Sequence, residues 1–166
     1  LLLKPGTESH TYEPSPQDIL EIKSADLFIY TGGESDVWID GVLSSLESDI
    51  KTVEMADCVE LLCPDHEHDH EEEHDHEHNH DHDAHEYDEH VWTSPKNAIL
   101  ISEKIAEALI EIDAQNKDEY KSAQESFSDE LKALDADFSE VVSTGKRKTL
   151  VFGDRFPLLY FAHDYG

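Results

Sequence analysis

Positive charge is what this chain has least of. It carries 12 Lys and Arg against 40 Asp and Glu, a formal charge of −28 over 166 residues with histidine neutral. Nucleic acid and anionic membrane surfaces both require the counter-charge that is missing, so the balance argues against either as a partner and leaves polycations and metal ions. Cysteine is scarce too. Cys58 and Cys63 are the only two, which rules out a disulfide-dense scaffold and leaves open either one pairing in an oxidising compartment or two thiols. No apolar run approaches the ~20 residues of a spanning helix, and Leu1-Leu2-Leu3 before Lys4 is too short for a signal peptide. The length is one domain's worth at the usual ~100–200 residues per domain. The chain opens without Met in a strand-like run and stops at Tyr165-Gly166. It therefore reads as a fragment, in which the lack of a signal or anchor decides nothing about location.

What is abundant is histidine, and it is concentrated. Of 12 histidines, nine (His66, His68, His70, His74, His76, His78, His80, His82 and His85) fall between Asp65 and Glu89, among 13 Asp and Glu and no Lys or Arg. Imidazole suits zinc, nickel and copper, while carboxylates add harder oxygen donors and cancel the ion's charge. His-x-His spacing in extended chain puts alternate rings on one side, ~6.5–7 Å apart, so one ion bridges neighbours after modest bending. Such a segment binds several divalent ions loosely, because no rigid frame fixes their geometry. It has almost no apolar content with which to build a core, and its charge resists compaction, so 65–89 is expected to be a mobile insertion.

The rest alternates between helix and strand. Ser15, Pro16 and Asp18 form a helix start, a capping hydroxyl followed by proline and an acid in the first turn, running to about Ser24. The apolar run 25–30, closed by Thr31-Gly32-Gly33, predicts a buried parallel strand. Helix is expected from Ser35 to about Leu46 and strand from Lys51 to Met55. Ser94-Pro95 starts another helix, whose Ala98, Ile101, Ile105, Ala108 and Ile112 share one face. Tyr120, Ala123, Phe127, Leu131, Leu134, Phe138 and Val141 then step by three and four along a single long helix, over 117–143, either a coiled-coil arm or an element packed on a globular body. Thr149-Leu150-Val151-Phe152 reads as a buried strand and Leu158 to His163 as a helix start. The alternation makes the fold α/β with parallel sheets.

Two histidines outside the insertion stand in distinctive settings. His10 lies in Pro5-Gly6-Thr7-Glu8-Ser9-His10-Thr11-Tyr12-Glu13-Pro14-Ser15-Pro16-Gln17-Asp18, and His90 in Asp88-Glu89-His90-Val91-Trp92-Thr93-Ser94-Pro95. By itself His10 reads as a surface loop residue, and His90 reads as core packing just as easily as a ligand. Together they resemble the two metal-ligand motifs of the zinc/manganese class of solute-binding proteins of ABC importers (cluster A-I), Pro-Gly-x-Glu-x-His-x-Tyr-Glu-Pro-x-Pro-x-Asp and Asp-Pro-His-x-Trp, with Glu89 in place of the second motif's proline. The acidic His-rich insertion before the second histidine and the long helix after it also match zinc-type members. The resemblance covers essentially the whole chain.

That resemblance implies a two-lobe fold, here truncated: an N-terminal lobe over 1–116 with the insertion 65–89, a linking helix over 117–143, and the start of a C-terminal lobe over 144–166. It implies His10 and His90 as direct ligands of one metal ion in the cleft. Many family members place a histidine at the end of the second lobe's first strand; this chain has Phe152-Gly153-Asp154-Arg155-Phe156-Pro157 there, so Asp154 is the best-placed substitute, its other reading being a helix cap or a partner of Arg155. His163 falls further into the helix and reads as surface. The implied activity is extracytoplasmic capture of a divalent ion, at the periplasm or the outer face of the membrane with a lipid anchor, for delivery to an ABC permease, by a monomer and without catalysis. The imidazole-rich insertion favours Zn²⁺, and carboxylate ligands pull toward Mn²⁺. Because ligating imidazole must be unprotonated, affinity is expected to fall through histidine's usual range near ~6.5. Two other classes stay open: a metal store or chaperone acting through the insertion alone, and a zinc hydrolase built on His10, His90 and Asp154, with Glu8 or Glu13 as its base.

Overall fold

The computed structural model describes residues 2, 3, 6, 11–46, 50–64, 87–147, 149–153 and 156–166. Helix α1 (Pro16–Lys23) begins as the sequence predicts. The Ser15 hydroxyl accepts from the Asp18 N–H at 3.3 Å, while the Asp18 carboxylate accepts from the Ser15 N–H at 2.8 Å, so two donors at the helix start are satisfied reciprocally. Strand β1 (Leu27–Tyr30) follows, then α2 (Val37–Ser45) and strand β2 (Lys51–Glu54). The strands pair in parallel, Leu27 opposite Lys51 through Tyr30 opposite Glu54. Two further bonds, Met55 N–H to the Tyr30 carbonyl at 2.9 Å and Ala56 N–H to the Thr31 carbonyl at 3.0 Å, extend the ladder past its carboxyl end. Parallel strands joined through a helix are the expected β-α-β arrangement.

Helix α3 (Pro95–Ile112) packs against both strands and against α4 (Lys117–Thr144), which also meets α5 (Leu159–Tyr165). Ser94 caps α3, its Oγ accepting from the Asn97 N–H at 3.2 Å with Pro95 next in line. The same buried hydroxyl donates to the Asp164 carboxylate on α5. At 28 residues α4 is about 42 Å long. It lies on the folded body as a packed element and not as a coiled-coil arm: Phe138 meets the Phe161 ring edge-on at 5.1 Å, and Tyr165 donates to Asp135 at 2.6 Å. Its inward face includes the buried Ser128 as well as Leu131 and Phe138, while Phe127, Leu134 and Val141 of the apolar stripe are exposed.

The buried core divides in two. Ile22, Ile39, Val42, Val53 and Ala56 are buried on the elements around the sheet, and Val91, Ile101 and Tyr160 form a cluster against which Met55, Cys58, Val59, Leu62 and Ile105 pack. A cavity of about 630 Å³ with mostly apolar walls is lined by Ile22, Leu27, Phe28, Tyr30, Trp38 and Ile39, among others.

Four expectations need correction. The run Thr149–Phe152 is neither strand nor buried: Leu150 is 54% and Val151 90% exposed. A strand's backbone groups need a neighbouring strand, and none lies beside this run among the described residues. Strand β1 is only partly buried, with Ile29 exposed, because the described sheet has two strands and gives β1 one partner. Leu2 and Leu3 are not in a strand. Residues 87–89, assigned to the mobile insertion, are held in the folded body by contacts described below; 65–86 lie outside the described residues. Cys58 and Cys63 are not joined. The Cys58 thiol, half-buried, donates to the Glu54 carbonyl, and burial pushes its pKa upward.

Replacing Ser94 with alanine removes the α3 cap and the donor to Asp164. Urea unfolding of Ser94→Ala is expected to show a loss of about 1–2 kcal/mol, and an unchanged midpoint would show that the cap contributes nothing.

Candidate metal site

His90 is the one proposed direct ligand that the described residues include; His10, Asp154 and the nine histidines of the insertion lie outside them. Its placement begins with hydrogen bonds in its own loop. The His90 carbonyl accepts from the Thr93 N–H at 3.1 Å and from the Thr93 hydroxyl at 2.8 Å, closing a tight 3-10 turn over Val91–Thr93. The Asn97 amide donates to the Val91 carbonyl at 3.1 Å, fastening that turn to the start of α3. Val91, fully buried, anchors the turn in the core. The imidazole, 21% exposed, is tilted against the Trp92 ring at 5.6 Å between centroids.

Asp88 sets the ring's chemistry. One carboxylate oxygen, Oδ1, accepts from the His90 backbone N–H at 2.8 Å and lies 3.0 Å from His90 Nδ1. A carboxylate accepts, so Nδ1 is the donor in this contact and Nε2 is the nitrogen it leaves for a ligating role. Metal-ligating histidines are commonly oriented this way, by a carboxylate on the far nitrogen that fixes the tautomer and raises ligand basicity. Asp88 is itself only 9% exposed, which strengthens the contact by limiting competition from water.

Glu89 points to the other side of the chain. Its Oε1 accepts from the Ser35 N–H at 2.6 Å, tying the residue before His90 to the turn that follows β1. That turn is in turn organised by Asp36, whose Oδ2 accepts from the N–H groups of Thr31 and Gly32, both at 3.0 Å. The carboxyl ends of parallel strands are where open α/β sheets place their binding crevices, and Glu89 brings His90 to that edge. The cavity lined by Trp38 and Ile39 reaches Glu89 and Trp92 at its rim, but its apolar walls make it no place for a cation.

Gly33 is required here. Its φ of +93° and ψ of −167° belong to a region reserved for glycine, and a Cβ would stand 2.6 Å from Glu89 Cγ. Gly32, at φ +86°, would likewise meet the Glu54 carboxylate. Acid accumulates around these glycines. Burial pushes the Asp36 carboxyl upward, with the Glu89 charge adding to it and the two backbone bonds opposing. Burial also raises Glu54, against the stabilising hydrogen bond from the Tyr30 hydroxyl at 2.9 Å, with Asp57, Asp40 and Asp36 adding to the rise. Negative potential next to His90 favours the approach of cations.

Among the described residues no three His, Cys, Asp or Glu side chains converge as a metal-sized cluster. Glu13, one candidate base of the hydrolase reading, is exposed, and Glu8 lies outside the described residues. His163 is a surface residue, its side chain 65% exposed. Sequence reasoning missed the roles of Asp88, Glu89 and Gly33. Their signal, an acid two residues before a histidine and a Gly-Gly pair after a strand, was absorbed into the acidic insertion and into a generic turn.

The α/β frame thus places a carboxylate-oriented histidine near the carboxyl edge of its strands. The chain belongs to the family described as ZnuA, zinc-uptake complex component A, periplasmic, whose model matches residues 1–166. It is similar to the zinc-binding protein AdcA of Streptococcus pyogenes serotype M3, 35% identical over 177 residues, covering 100% of this chain and 33% of that one. It is also 35% identical over 167 residues to the zinc-binding lipoprotein AdcA of Streptococcus pneumoniae serotype 4, covering 100% and 32%. The crystal structure of Zn(II)-bound AdcA from Streptococcus pneumoniae superimposes with a TM-score of 0.80 at 29% identity, over 99% of this chain and 32% of that one. The chain thus spans about a third of the length of these AdcA relatives.

Gly33→Ala is expected to displace Glu89 from the Ser35 N–H and to destabilise the fold by about 1–3 kcal/mol. Thermal unfolding measures this, and a melting temperature equal to that of the unsubstituted protein would show that the turn relaxes without cost.

Proposed function

We propose that this chain captures Zn²⁺ outside the cytoplasm, at the periplasm or on a lipid-anchored protein at the cell surface, and hands it to the permease of an ABC importer. The observation that carries the proposal is the Asp88–His90 contact, a carboxylate 3.0 Å from Nδ1, which is how ligating histidines are commonly oriented to present Nε2. Family membership and the zinc-bound AdcA relatives support the choice of ion and destination. In this reading His10 and His90 belong to the lobe of residues 1–116, the helix over 117–143 links it to a second lobe beginning at 144, and Asp154 supplies a carboxylate from there. The ion is cargo. With a fourth protein ligand beside His10, His90 and Asp154, a tetrahedral zinc would have no position for a reactive water, which fits binding without catalysis. Mn²⁺ is a poorer fit to two imidazoles.

The insertion gathers ions at its histidines and acids and raises their concentration near the tight site, without forming it. Its functional boundary is 65–86, because Asp88 and Glu89 hold the site itself.

Calorimetry on the full-length protein tests this. His10→Ala and His90→Ala are each expected to abolish the tightest zinc binding event, and deletion of 65–86 to leave it in place while removing the weaker ones. Asp88→Ala is expected to weaken the tight site by about 10–100-fold. Survival of the tight event in both histidine variants, with its loss on deleting 65–86, would instead assign the function to a store acting through the insertion.

A further inference from the structure

The chain on either side of the insertion is bonded together: the Asp88 N–H donates to the Leu62 carbonyl at 2.9 Å. A third group closes the stem. The Tyr160 hydroxyl, from α5, donates to the Asp88 carbonyl at 2.8 Å and accepts from the Leu62 N–H at 3.2 Å. Tyr160 is 2% exposed and forms one core cluster with Val91 and Ile101, with Leu62 packed against it. A buried phenol with one bond given and one received has a fixed orientation.

We infer that Tyr160 is a positioning residue for His90: its hydroxyl locks the stem of the insertion and so holds Asp88, whose carboxylate orients the imidazole. The inference rests on the reading of His90 as a zinc ligand and deepens it. Asp88 is the hinge of the arrangement. Its main chain is held on both sides, the N–H by Leu62 and the carbonyl by Tyr160, while its side chain takes both the backbone N–H and the ring of His90. Residue 88 is thus pinned within the described body by partners far from it in sequence. The clasp also joins parts of the chain 98 and 72 residues apart, so the beginning of α5, past the long helix, takes part in setting a histidine in the first part of the chain.

The experiment compares Tyr160→Phe, which keeps the ring in the core and removes only the hydroxyl, with the unsubstituted full-length protein and the deletion of 65–86. In the metal-free protein, nitrogen-15 NMR of labelled histidine, with the His90 signals assigned by their disappearance in His90→Gln, is expected to show the Nδ1–H tautomer. Tyr160→Phe is expected to convert this to a mixture and to weaken zinc binding by about 3–10-fold in a chelator competition, below the effect of removing a direct partner of the ligand. The deletion is expected to change neither. Hydrogen exchange adds a measurement that needs no variant: the amides of Leu62 and Asp88 are expected to be protected in the unsubstituted protein. An unaltered His90 tautomer in folded Tyr160→Phe, or rapid exchange at both amides, overturns the inference. Because tautomer and exchange are read without metal, they decide the clasp even if His90→Ala leaves zinc binding intact, which would overturn only the zinc reading.

Discussion

A single carboxylate two residues ahead of a histidine holds the candidate site together. Asp88 Oδ1 bonds both the backbone and the ring of His90, so one half-buried acid holds the imidazole through two contacts. Everything nearby serves to keep that acid in place. Val91 buries the turn beyond it, Glu89 ties the intervening residue to the turn after β1, and Tyr160 with Leu62 holds its main chain. A ligand oriented before the metal arrives loses less entropy on binding, and such preorganisation is the general route to high affinity from few contacts.

The charge of the chain follows a division of labour. A large share of the acid sits in the histidine-rich insertion, but the acids of the folded body are used one by one. Asp18 completes a helix cap, Asp36 gathers two turn amides, Glu89 takes the Ser35 amide, and Asp164 accepts from the capping Ser94. Each of these anions meets backbone or side-chain donors, which lets a strongly acidic protein hold half-buried carboxylates with few cations to pair them. The residual field, gathered at the carboxyl edge of the strands, favours the approach of cations.

Helices were the most legible elements. Ser15-Pro16 and Ser94-Pro95 each announced a start to the residue, because capping depends on local chemistry that the chain carries in four consecutive positions. The long period of α4 was equally plain, ending one residue beyond its expected limit. Strands were less so. Residues 27–30 and 51–54 formed as expected, whereas the comparable apolar run at 149–152 did not, since a strand depends on a neighbour that its own sequence does not contain. The end of the insertion is hard to read for a related reason: Asp88 and Glu89 have the composition of the segment they close, and only their partners at Leu62, Ser35 and Tyr160 set them apart.

By itself the sequence determined the chemistry on offer: imidazoles and carboxylates in place of cations, two motif histidines, an insertion unable to build a core, and helices with their own start signals. These are properties of residue type and short spacing, and they survive without a fold. The tertiary structure decided what orients the histidine, because the contacts responsible join residues 35 with 89, 62 with 88, and both 62 and 88 with 160. Hydrogen bonds act over about 3 Å, so separations of this kind along the chain become interactions only after the core has brought the backbone together.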